Sequence, residues 1–225
     1  MNPTDFALRK TGDGSETLYS SEMQESYHSL NGAVQESKHV FIDAGLKQCL
    51  HKNIAIFEIG FGTGLNALLT WGHAKRFHLD VTYTAVEKFP LPIQTIASLG
   101  YDSLEPALSQ ESFKMLHESV WGQPIILEKK CFSLTKLQED FTSMSFQEKF
   151  DVIFYDAFAP EKQPEMWEEY LFTRLFEALH ENGLLVTYCA KGEVRRRLQR
   201  SGFKVDRIPG PPGKREMLRA VKSSF

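Results

Sequence analysis

The sequence contains few of the features that mark secreted, membrane-spanning or metal-binding proteins. Its three cysteines, Cys49, Cys131 and Cys189, are odd in number and far apart, which argues against a disulfide framework and against a zinc site. The seven histidines are scattered without ligand spacing, so no metal is expected. The N-terminus lacks the apolar core of a signal peptide, and no apolar run is long enough to cross a bilayer. We therefore expect a cytoplasmic protein that binds neither a metal nor a membrane.

The composition is that of one folded domain with a sizeable core. The chain has 225 residues, of which 42% are hydrophobic, and it shows no repeats or low-complexity tracts. Residues 1–35 are polar and lack periodic apolar positions, whereas residues 36–225 alternate between apolar runs and helix-like segments. We predict an N-terminal extension, 1–35, followed by a single α/β domain, 36–225.

The net charge of −3 is the sum of two parts of opposite sign. The segment from Cys189 to Phe225 has eleven basic and three acidic residues, a balance of +8, which leaves −11 for the rest of the chain. Such a cluster is either the solvated face of a helix or a surface for a polyanion. Because the rest of the chain is acidic, we favour a polyanionic partner, with nucleic acid as the first candidate.

The most informative segment is an apolar strand, 54–59, that ends in three alternating glycines and continues into an apolar helix. Gly60, Gly62 and Gly64 can adopt backbone angles closed to other residues, which lets a ligand lie against the main chain. A dinucleotide-binding turn has the spacing G-x-G-x-x-G, whereas here the third glycine comes one residue earlier and Glu58 precedes the turn. The pattern resembles the first motif of class I S-adenosylmethionine methyltransferases, whose cofactor carries a sulfonium and an amino acid instead of phosphates.

A second strand, 81–86, ends on Glu87, about twenty residues after the glycine turn. In α/β nucleoside sites an acidic residue at this position accepts hydrogen bonds from both ribose hydroxyls. We predict this role for Glu87. The alternative is a solvated carboxylate that is paired with Lys88.

Further apolar segments complete an alternating pattern of strands and helices. Strands are predicted near 124–129, 150–155, 183–189, 203–207 and 217–221, and helices near 33–50, 65–71, 93–99, 135–141, 165–180 and 192–201. Long helical connections indicate parallel strands, whereas the short turn at 209–213 makes the last two strands antiparallel. The prediction is a Rossmann-like, mostly parallel, seven-stranded sheet with a reversed last strand, which is the architecture of class I S-adenosylmethionine-dependent methyltransferases.

The predicted fourth strand, 150–155, ends on a second carboxylate, Asp156, which would lie opposite the glycine turn. There it would accept a hydrogen bond from an incoming amine, orient the nitrogen lone pair and stabilise the positive charge that develops on nitrogen. The alternative is an aspartate that only caps the following loop. Whether Asp156 or water deprotonates a cationic amine stays open at this stage.

Three longer segments resemble the MnmC-type transfer RNA methyltransferases, which are called MnmD when they stand alone. The segments run from Asp156 to Trp167, from Lys191 to Leu198, and from Gly202 to Met217. Further matches at Tyr19-Ser20 and at Glu36-Ser37-x-His39 extend the resemblance over most of the chain. Members of this family modify the wobble uridine of transfer RNA.

The resemblance implies methyl transfer from S-adenosyl-L-methionine to the primary amine of 5-aminomethyl-2-thiouridine, giving 5-methylaminomethyl-2-thiouridine. It implies that Asp156 holds the amine, that Glu87 holds the ribose and that the three glycines hold the methionine end of the cofactor. Glu58 would orient the turn or reach the cofactor's amino group through water. Tyr19 either closes over the cofactor or is a core aromatic. Bifunctional relatives also carry a flavin-dependent oxidase; its dinucleotide fingerprint is absent here, so no fused FAD oxidase domain is expected.

The anticodon region of transfer RNA is the partner that the resemblance implies. Arg195 and Arg196 on a basic helix, with Lys214 and Arg215 in a later loop, are predicted to contact phosphates around a base that is splayed into the cleft. These four residues account for part of the positive charge of the C-terminal segment.

Aromatic residues are the candidates for contacts to the bases. Phe158 and Trp167 are candidates for stacking on the target uridine, and the alternative is that both rings are core residues. Many class I enzymes have an Asp after the third strand that holds adenine, but residues 129–132 in that region contain none. Adenine would then be held by main-chain atoms or by stacking on Phe132.

Two other functions stay open. One is a methyl- or aminopropyltransferase that acts on a small-molecule amine, because polyamine synthases share this sheet and have an aspartate after the fourth strand; the basic segment would repel such a cation. The other is a noncatalytic RNA-binding module with a relic cofactor pocket. The combination of the glycine turn, Glu87 and Asp156 argues against it.

Overall fold

The structure, a computed structural model, describes residues 6–146 and 149–223. Its N-terminal part is a three-stranded antiparallel sheet of β1 (Phe6–Lys10), β2 (Glu16–Ser20) and β3 (Glu25–Ser26). This sheet lies within the predicted extension, 1–35, of which residues 1–5 are outside the described residues. The division of the chain at residue 35 stays a prediction.

The rest of the chain is built around an eight-stranded sheet. In chain order its strands are β4 (Asn53–Ile59), β5 (Asp80–Val86), β6 (Ile125–Glu128), β7 (Phe132–Leu137), β8 (Phe150–Tyr155), β9 (Leu179–Thr187), β10 (Lys204–Pro209) and β11 (Glu216–Val221). Their order across the sheet is β10-β11-β9-β8-β4-β5-β7-β6. Strands β7, β5, β4, β8 and β9 are parallel, and β11 is antiparallel to both of its neighbours. The predicted class I methyltransferase sheet with a reversed last strand is confirmed, and β6 is an additional edge strand.

The third parallel strand does not lie where the sequence placed it. The segment predicted as strand three, 124–129, contains the edge strand β6, which pairs antiparallel with β7. The helix predicted at 135–141 is wrong, because residues 132–137 form β7 beside β5. Since Phe132 pairs with Val81 at the start of β5, residues 129–132 lie at the opposite end of the sheet from the glycine turn.

Helices cover both faces of the sheet. They are α1 (Ala33–Ser37), α2 (Leu65–Phe77), α3 (Ile93–Ala97), α4 (Ser112–Glu118), α5 (Glu169–Ala178) and α6 (Gly192–Arg200). The single helix predicted over 33–50 is interrupted, because α1 passes into a π-helical segment, Lys38–Asp43, and then into a 3-10 turn, Leu46–Gln48. Further 3-10 turns lie at Tyr101–Ser103, Phe141–Ser143 and Pro164–Trp167. None of the described helices is long and apolar enough to cross a membrane.

The central strand β4 is buried on both faces, which explains its nearly continuous apolar sequence. Ile54 and Ile56 belong to the core that contains α2, whereas Phe57 and Ile59 belong to the core that contains α5 and α6. The two cores hold β4 between β5 and β8 in fixed register. The carboxyl ends of these three strands are thereby brought together.

Candidate active site

A cavity of about 510 Å³ lies at the carboxyl ends of β4, β5 and β8. Ile59 and Val86, the last residues of β4 and β5, line it, as does Asp156 directly after β8. Residues 19–30 of the N-terminal part contribute to the same wall. Ligands of doubly wound sheets bind at this edge, so the cavity lies where the sequence analysis expected a cofactor.

The backbone of the glycine turn requires glycine. Gly60, Gly62 and Gly64 have φ values of 88°, 48° and 72°, which side chains disfavour. A Cβ at Gly60 would lie 2.9 Å from the backbone oxygen of Asp156, and one at Gly62 would lie 3.1 Å from Tyr27 Cδ1. Gly60 and Gly62 line the cavity with bare main chain, whereas Gly64 lies behind it as the N-cap of α2. The turn therefore fits a ligand that lies against the backbone.

Glu87 secures this turn from the neighbouring strand. Its Oε2 accepts a hydrogen bond from Gly62 N–H at 3.1 Å, and its Oε1 accepts one from Phe89 N–H at 2.9 Å. Burial raises the pKa of Glu87, and these backbone donors oppose the rise. Glu87 also lines the cavity, and each of its carboxylate oxygens has a second lone pair for a ligand hydroxyl.

Glu58 lies beneath the cavity and does not line it. Its side chain is 0% exposed, and its Oε1 accepts a hydrogen bond from Asn66 Nδ2 at 2.9 Å. Burial raises the pKa of Glu58 well above its usual value. Glu58 thus links β4 to the first turn of α2, which agrees with an orienting role and leaves no direct contact with a ligand in the cavity.

Asp156 lies on the cavity floor next to the glycine turn. Its Oδ2 accepts a hydrogen bond from Asn66 Nδ2 at 2.8 Å, and its backbone N–H donates to Ile59 O at 3.1 Å. Burial raises the pKa of Asp156 well above its usual value, and the negative charge of Glu36 raises it further. A cavity carboxyl with a raised pKa is suited to accept a proton near neutral pH.

Two tyrosines of the N-terminal part border the cavity. Tyr19 on β2 is half-buried, and the guanidinium of Arg9 lies 3.7 Å from its ring centroid. Tyr27 packs edge-to-face on Phe158 with ring centroids 5.0 Å apart, and it contacts Gly62. Tyr19 is therefore a cavity residue, and its contact with a cofactor stays a prediction.

Of the two alternatives for adenine, main-chain atoms or stacking on Phe132, the second is wrong. Phe132 is 1% exposed and stacks on Trp71 in the core, with ring centroids 5.6 Å apart. It begins β7, whereas the cavity lies at the other end of the parallel strands.

Acidic residues do follow the true third parallel strand. Glu139 and Asp140 come after β7 and line the cavity. The ammonium of Lys88 binds Asp140 Oδ2 at 2.8 Å, and the hydroxyl of Thr142 binds Oδ1 at 2.7 Å. These two bonds hold the pKa of Asp140 at about 2. The sequence analysis found no acid on this side of the site because it misplaced the strand.

The two predicted stacking residues are in different environments. Trp167 is 1% exposed, and its Nε1–H donates to Phe158 O at 2.8 Å. Its burial excludes stacking on a base, so Trp167 is a core residue that fixes the loop after β8. Phe158 is half-buried and lines the cavity, where its ring is available to a ligand.

The residues of the basic helix that are predicted to bind phosphates lie at the surface. Arg196 is exposed and Arg195 is half-buried on α6, and neither has an ion pair within residues 6–146 and 149–223. Arg197, by contrast, binds Glu193 and Glu168 and donates to Trp167 O at 2.7 Å. Arg195 and Arg196 thus differ from Arg197, whose charge is used within the fold.

The two basic residues of the β10–β11 loop point in different directions. Arg215 is exposed. Lys214 lines the cavity, where its ammonium binds Glu36 Oε1 at 2.7 Å and lies 4.0 Å from the ring centroid of Tyr188. The geometry therefore favours Lys214 as a residue of the substrate cavity over a contact to a distant phosphate.

Three cavity residues, Asn66, Glu36 and Tyr188, have no role in the sequence-based prediction. Asn66 is the one polar side chain in the apolar run 65–69, and this exception was a usable signal. Nothing in the local sequence marks Tyr188. Within the described residues, no group of three or more His, Cys, Asp or Glu side chains is arranged to hold a metal ion.

Comparisons with known proteins indicate a methyltransferase. Residues 125–223 match a family model described as S-adenosyl-L-methionine-dependent methyltransferase. The chain is 34% identical over 221 residues to the tRNA 5-methylaminomethyl-2-thiouridine biosynthesis bifunctional protein MnmC of Idiomarina loihiensis, covering 88% of this chain and 36% of that protein. It is 33% identical over 214 residues to the protein of the same name from Methylobacillus flagellatus, covering 89% of this chain and 33% of that protein. The chain therefore spans about a third of the length of these relatives.

A solved structure is similar over nearly the whole chain. MnmC2 from Aquifex aeolicus has a TM-score of 0.79 and 28% identity, covering 98% of this chain and 72% of that one. Spermidine synthase from Thermotoga maritima, with a TM-score of 0.60 and 12% identity over 98% of this chain and 69% of that one, shares the fold alone. The glycine turn, the cavity at the strand ends and these relatives agree on S-adenosyl-L-methionine as the cofactor. Residues 125–223 thus match a family of S-adenosyl-L-methionine-dependent methyltransferases, and the chain is similar over most of its length to part of the MnmC proteins.

Proposed function

We propose that the protein transfers a methyl group from S-adenosyl-L-methionine to the primary amine of 5-aminomethyl-2-thiouridine at the wobble position of transfer RNA. The product is 5-methylaminomethyl-2-thiouridine. The observation that carries the proposal is the position of Asp156, a carboxyl with a raised pKa on the floor of the cavity that the glycine turn borders. A transfer RNA substrate implies that the protein works in the cytoplasm.

The cavity suits two cationic ligands. When bound, S-adenosyl-L-methionine would supply a methyl group on a sulfonium, with the C–S bond breaking as the N–C bond forms and sulfur keeping the electron pair. Gly60 and Gly62 would hold its methionine end and Glu87 its ribose. Glu139 and Asp140, on the same wall as Glu87, would receive the adenine.

Asp156 would hold and deprotonate the substrate. An aminomethyl group enters as an ammonium, which has no free lone pair, so one proton must leave before nitrogen can attack. Asp156 accepts that proton, and its carboxyl then accepts a hydrogen bond from a remaining N–H of the neutral amine, which keeps the lone pair directed at the methyl carbon. Phe158 would stack on the uracil ring, since it lines the cavity beside Tyr27.

The N-terminal part and the basic helix would complete the binding of RNA. Within the proposed extension, 1–35, the residues Tyr19 and Tyr27 border the cavity and would cover a bound ligand. Arg195, Arg196 and Arg215 would bind anticodon phosphates, since the described structure gives them no ion pairs. The target base would be splayed out of the loop to reach Asp156.

The test is nucleoside mass analysis of transfer RNA incubated with the purified chain and S-adenosyl-L-methionine. Wild type should methylate RNA that carries the aminomethyl group and leave the carboxymethylaminomethyl form unchanged unless an oxidase is added. Asp156→Asn should lower kcat by about 100- to 1,000-fold, because an amide neither accepts the proton nor carries a negative charge. The exposed Asp102→Asn is the control and should match wild type. An Asp156→Asn variant with normal kcat would contradict the proposal.

A small free amine is the rival substrate, because the fold is shared with spermidine synthase. The same assay distinguishes it when polyamines are added as competitors. Under the proposed function, free polyamines at concentrations equal to the RNA neither become methylated nor inhibit. Methylation of a polyamine in preference to RNA would favour the rival.

A further inference from the structure

A group of polar side chains lies directly beneath the cavity floor. The side-chain NH₂ of Asn66, in the first turn of α2, donates to two carboxyl groups at once. One bond goes to Glu58 Oε1 at 2.9 Å and the other to Asp156 Oδ2 at 2.8 Å. A single amide thereby connects the catalytic carboxyl at the end of β8 with a carboxyl inside β4.

This arrangement is deeply buried. Glu58 is 0% exposed and Asn66 is 3% exposed. Asn66 Oδ1 is buried without a hydrogen-bond partner in the described residues, whereas the hydroxyl of Tyr83 lies close enough to Glu58 to lower the pKa of that carboxyl. Both donors of the Asn66 amide are thus committed to carboxyl groups.

The hydrogen bonds fix the orientation of the Asn66 amide. If the amide were flipped, its oxygen would face two carboxyl oxygens and no donor would reach either. The NH₂ group has two hydrogens, and each is used by one carboxyl. Glu58 therefore anchors Asn66, and Asn66 in turn determines where Asp156 Oδ2 lies.

We propose that Asn66 is a positioning residue for methyl transfer, which holds Asp156 Oδ2 from an anchor on Glu58 and so presents Oδ1 to the substrate nitrogen. The inference rests on the proposed function. Among the described residues, Oδ1 of Asp156 has no hydrogen-bond partner, and the carboxyl lines the cavity. Fixing one oxygen leaves the other for the amine and removes the rotational freedom that would misplace it.

Asn66 also acts on the pKa of both carboxyl groups. Burial raises the pKa of Glu58 well above its usual value, and the hydrogen bond from Asn66 opposes that rise. The Asn66 bond stabilises the ionised form of Asp156 and opposes the effect of burial on its pKa. An amide is suited to this role because it supplies two donors and adds no charge.

The test uses the full chain with three variants: Asn66→Ala, which removes the amide; Asn66→Asp, which keeps its shape and removes its donors; and Thr70→Val. Thr70 is the matched control, because it lies one helical turn later on α2 and is also buried with an unpartnered hydroxyl. Rates are measured on aminomethylated transfer RNA as a function of pH. S-adenosyl-L-methionine affinity is measured by calorimetry.

We expect Asn66→Ala to lower kcat about 10- to 100-fold, since a hydrogen bond to a charged group is lost. The apparent pKa of the acidic limb of the pH–rate profile should rise by about one pH unit, because the pKa of Asp156 rises when the donor is removed. Asn66→Asp should move the limb in the same direction and further. The Kd of the cofactor should change by less than about threefold in both variants, and Thr70→Val should leave every quantity unchanged.

Different outcomes bear on the two proposals. A wild-type chain that does not methylate the RNA contradicts the proposed function. An active wild type together with an Asn66→Ala variant of unchanged kcat and unchanged acidic limb overturns the inference. Carbon NMR titration of the Asp156 carboxyl in the free chain gives the same pKa shift without substrate, and an unshifted carboxyl in Asn66→Asp would also overturn it.

Discussion

Gly60 brings the glycine turn against the end of β8, and its replacement by alanine tests that close approach. Its φ of 88° lies in the region that side chains disfavour. A Cβ would lie 2.9 Å from the backbone oxygen of Asp156 and 3.4 Å from its carbonyl carbon. Because these are backbone atoms at the end of β8, they cannot rotate away as a flexible side chain would. The alanine must therefore displace either the turn or Asp156.

The loss of stability expected for Gly60→Ala has two parts, which a control variant separates. Gly100 also has a positive φ, 65°, but no atom lies within 4 Å of a Cβ built there. Gly100→Ala should therefore lower the free energy of unfolding by about 1–2 kcal/mol, the cost of the backbone angle alone. Gly60→Ala adds a local backbone displacement and should cost about 2–4 kcal/mol in total.

Urea unfolding measures these costs, and calorimetry measures the affinity for S-adenosyl-L-methionine. Gly60→Ala should raise the Kd of the cofactor at least about tenfold, whereas Gly100→Ala should leave it unchanged. Equal stability of the two variants, with wild-type cofactor affinity in Gly60→Ala, would refute the close approach of the turn to β8.

Two further predictions concern charge. The double variant Arg195→Ala/Arg196→Ala should weaken transfer RNA binding and lower the slope of log K against log salt by about 1 to 2, with cofactor affinity intact, because two phosphate contacts are lost. The control, Lys129→Ala/Lys130→Ala, removes the same charge at the opposite end of the sheet, and an equal effect there would contradict a defined RNA surface. The second prediction concerns Lys136, which is 1% exposed and whose pKa burial lowers to about 8. The unfolded chain keeps this proton up to about pH 10.5, whereas the folded chain loses it near pH 8. The free energy of unfolding of wild type, measured by urea titration, should therefore rise relative to that of Lys136→Met between pH 8 and 10.5, by up to about 3 kcal/mol. A difference that stays constant over this range would contradict the lowered pKa of Lys136.

The parts of the site that follow strand ends could be predicted from the sequence. A strand that enters an alternating-glycine turn marks its own carboxyl end, and the same is true of the apolar runs that end on Glu87 and Asp156. Parallel strands bring these ends to one edge. The structure accordingly places the turn, Glu87 and Asp156 around one cavity.

The third parallel strand could not be recognised because a lysine occupies one of its buried positions. Phe132, Leu134 and Lys136 face inward along β7 and are all buried. A charged residue at the third inward position breaks the apolar alternation that indicates a strand. Only the tertiary structure accommodates it: the Lys136 ammonium donates to His117 O at 2.7 Å and lies 4.8 Å from the ring centroid of Trp121.

Acidic residues are concentrated in the cavity, and basic residues that are unpaired in the described structure lie on the surface of α6. Under the proposed function, this division separates methyl transfer from the choice of substrate. Eight acidic side chains line the cavity: Glu22, Glu25, Glu36, Glu87, Glu139, Asp140, Asp156 and Glu165. Of its three basic residues, Arg9, Lys88 and Lys214, the last two are paired with Asp140 and Glu36. An acidic cavity attracts any cationic amine, whether it is carried on RNA or free in solution. Under the proposed function, the cavity determines that an amine is methylated, and discrimination between carriers falls to the surface of α6. We propose that Arg195 and Arg196 there attract a phosphate chain and repel a free polyamine, so that selectivity comes from an unfavourable contact as well as a favourable one.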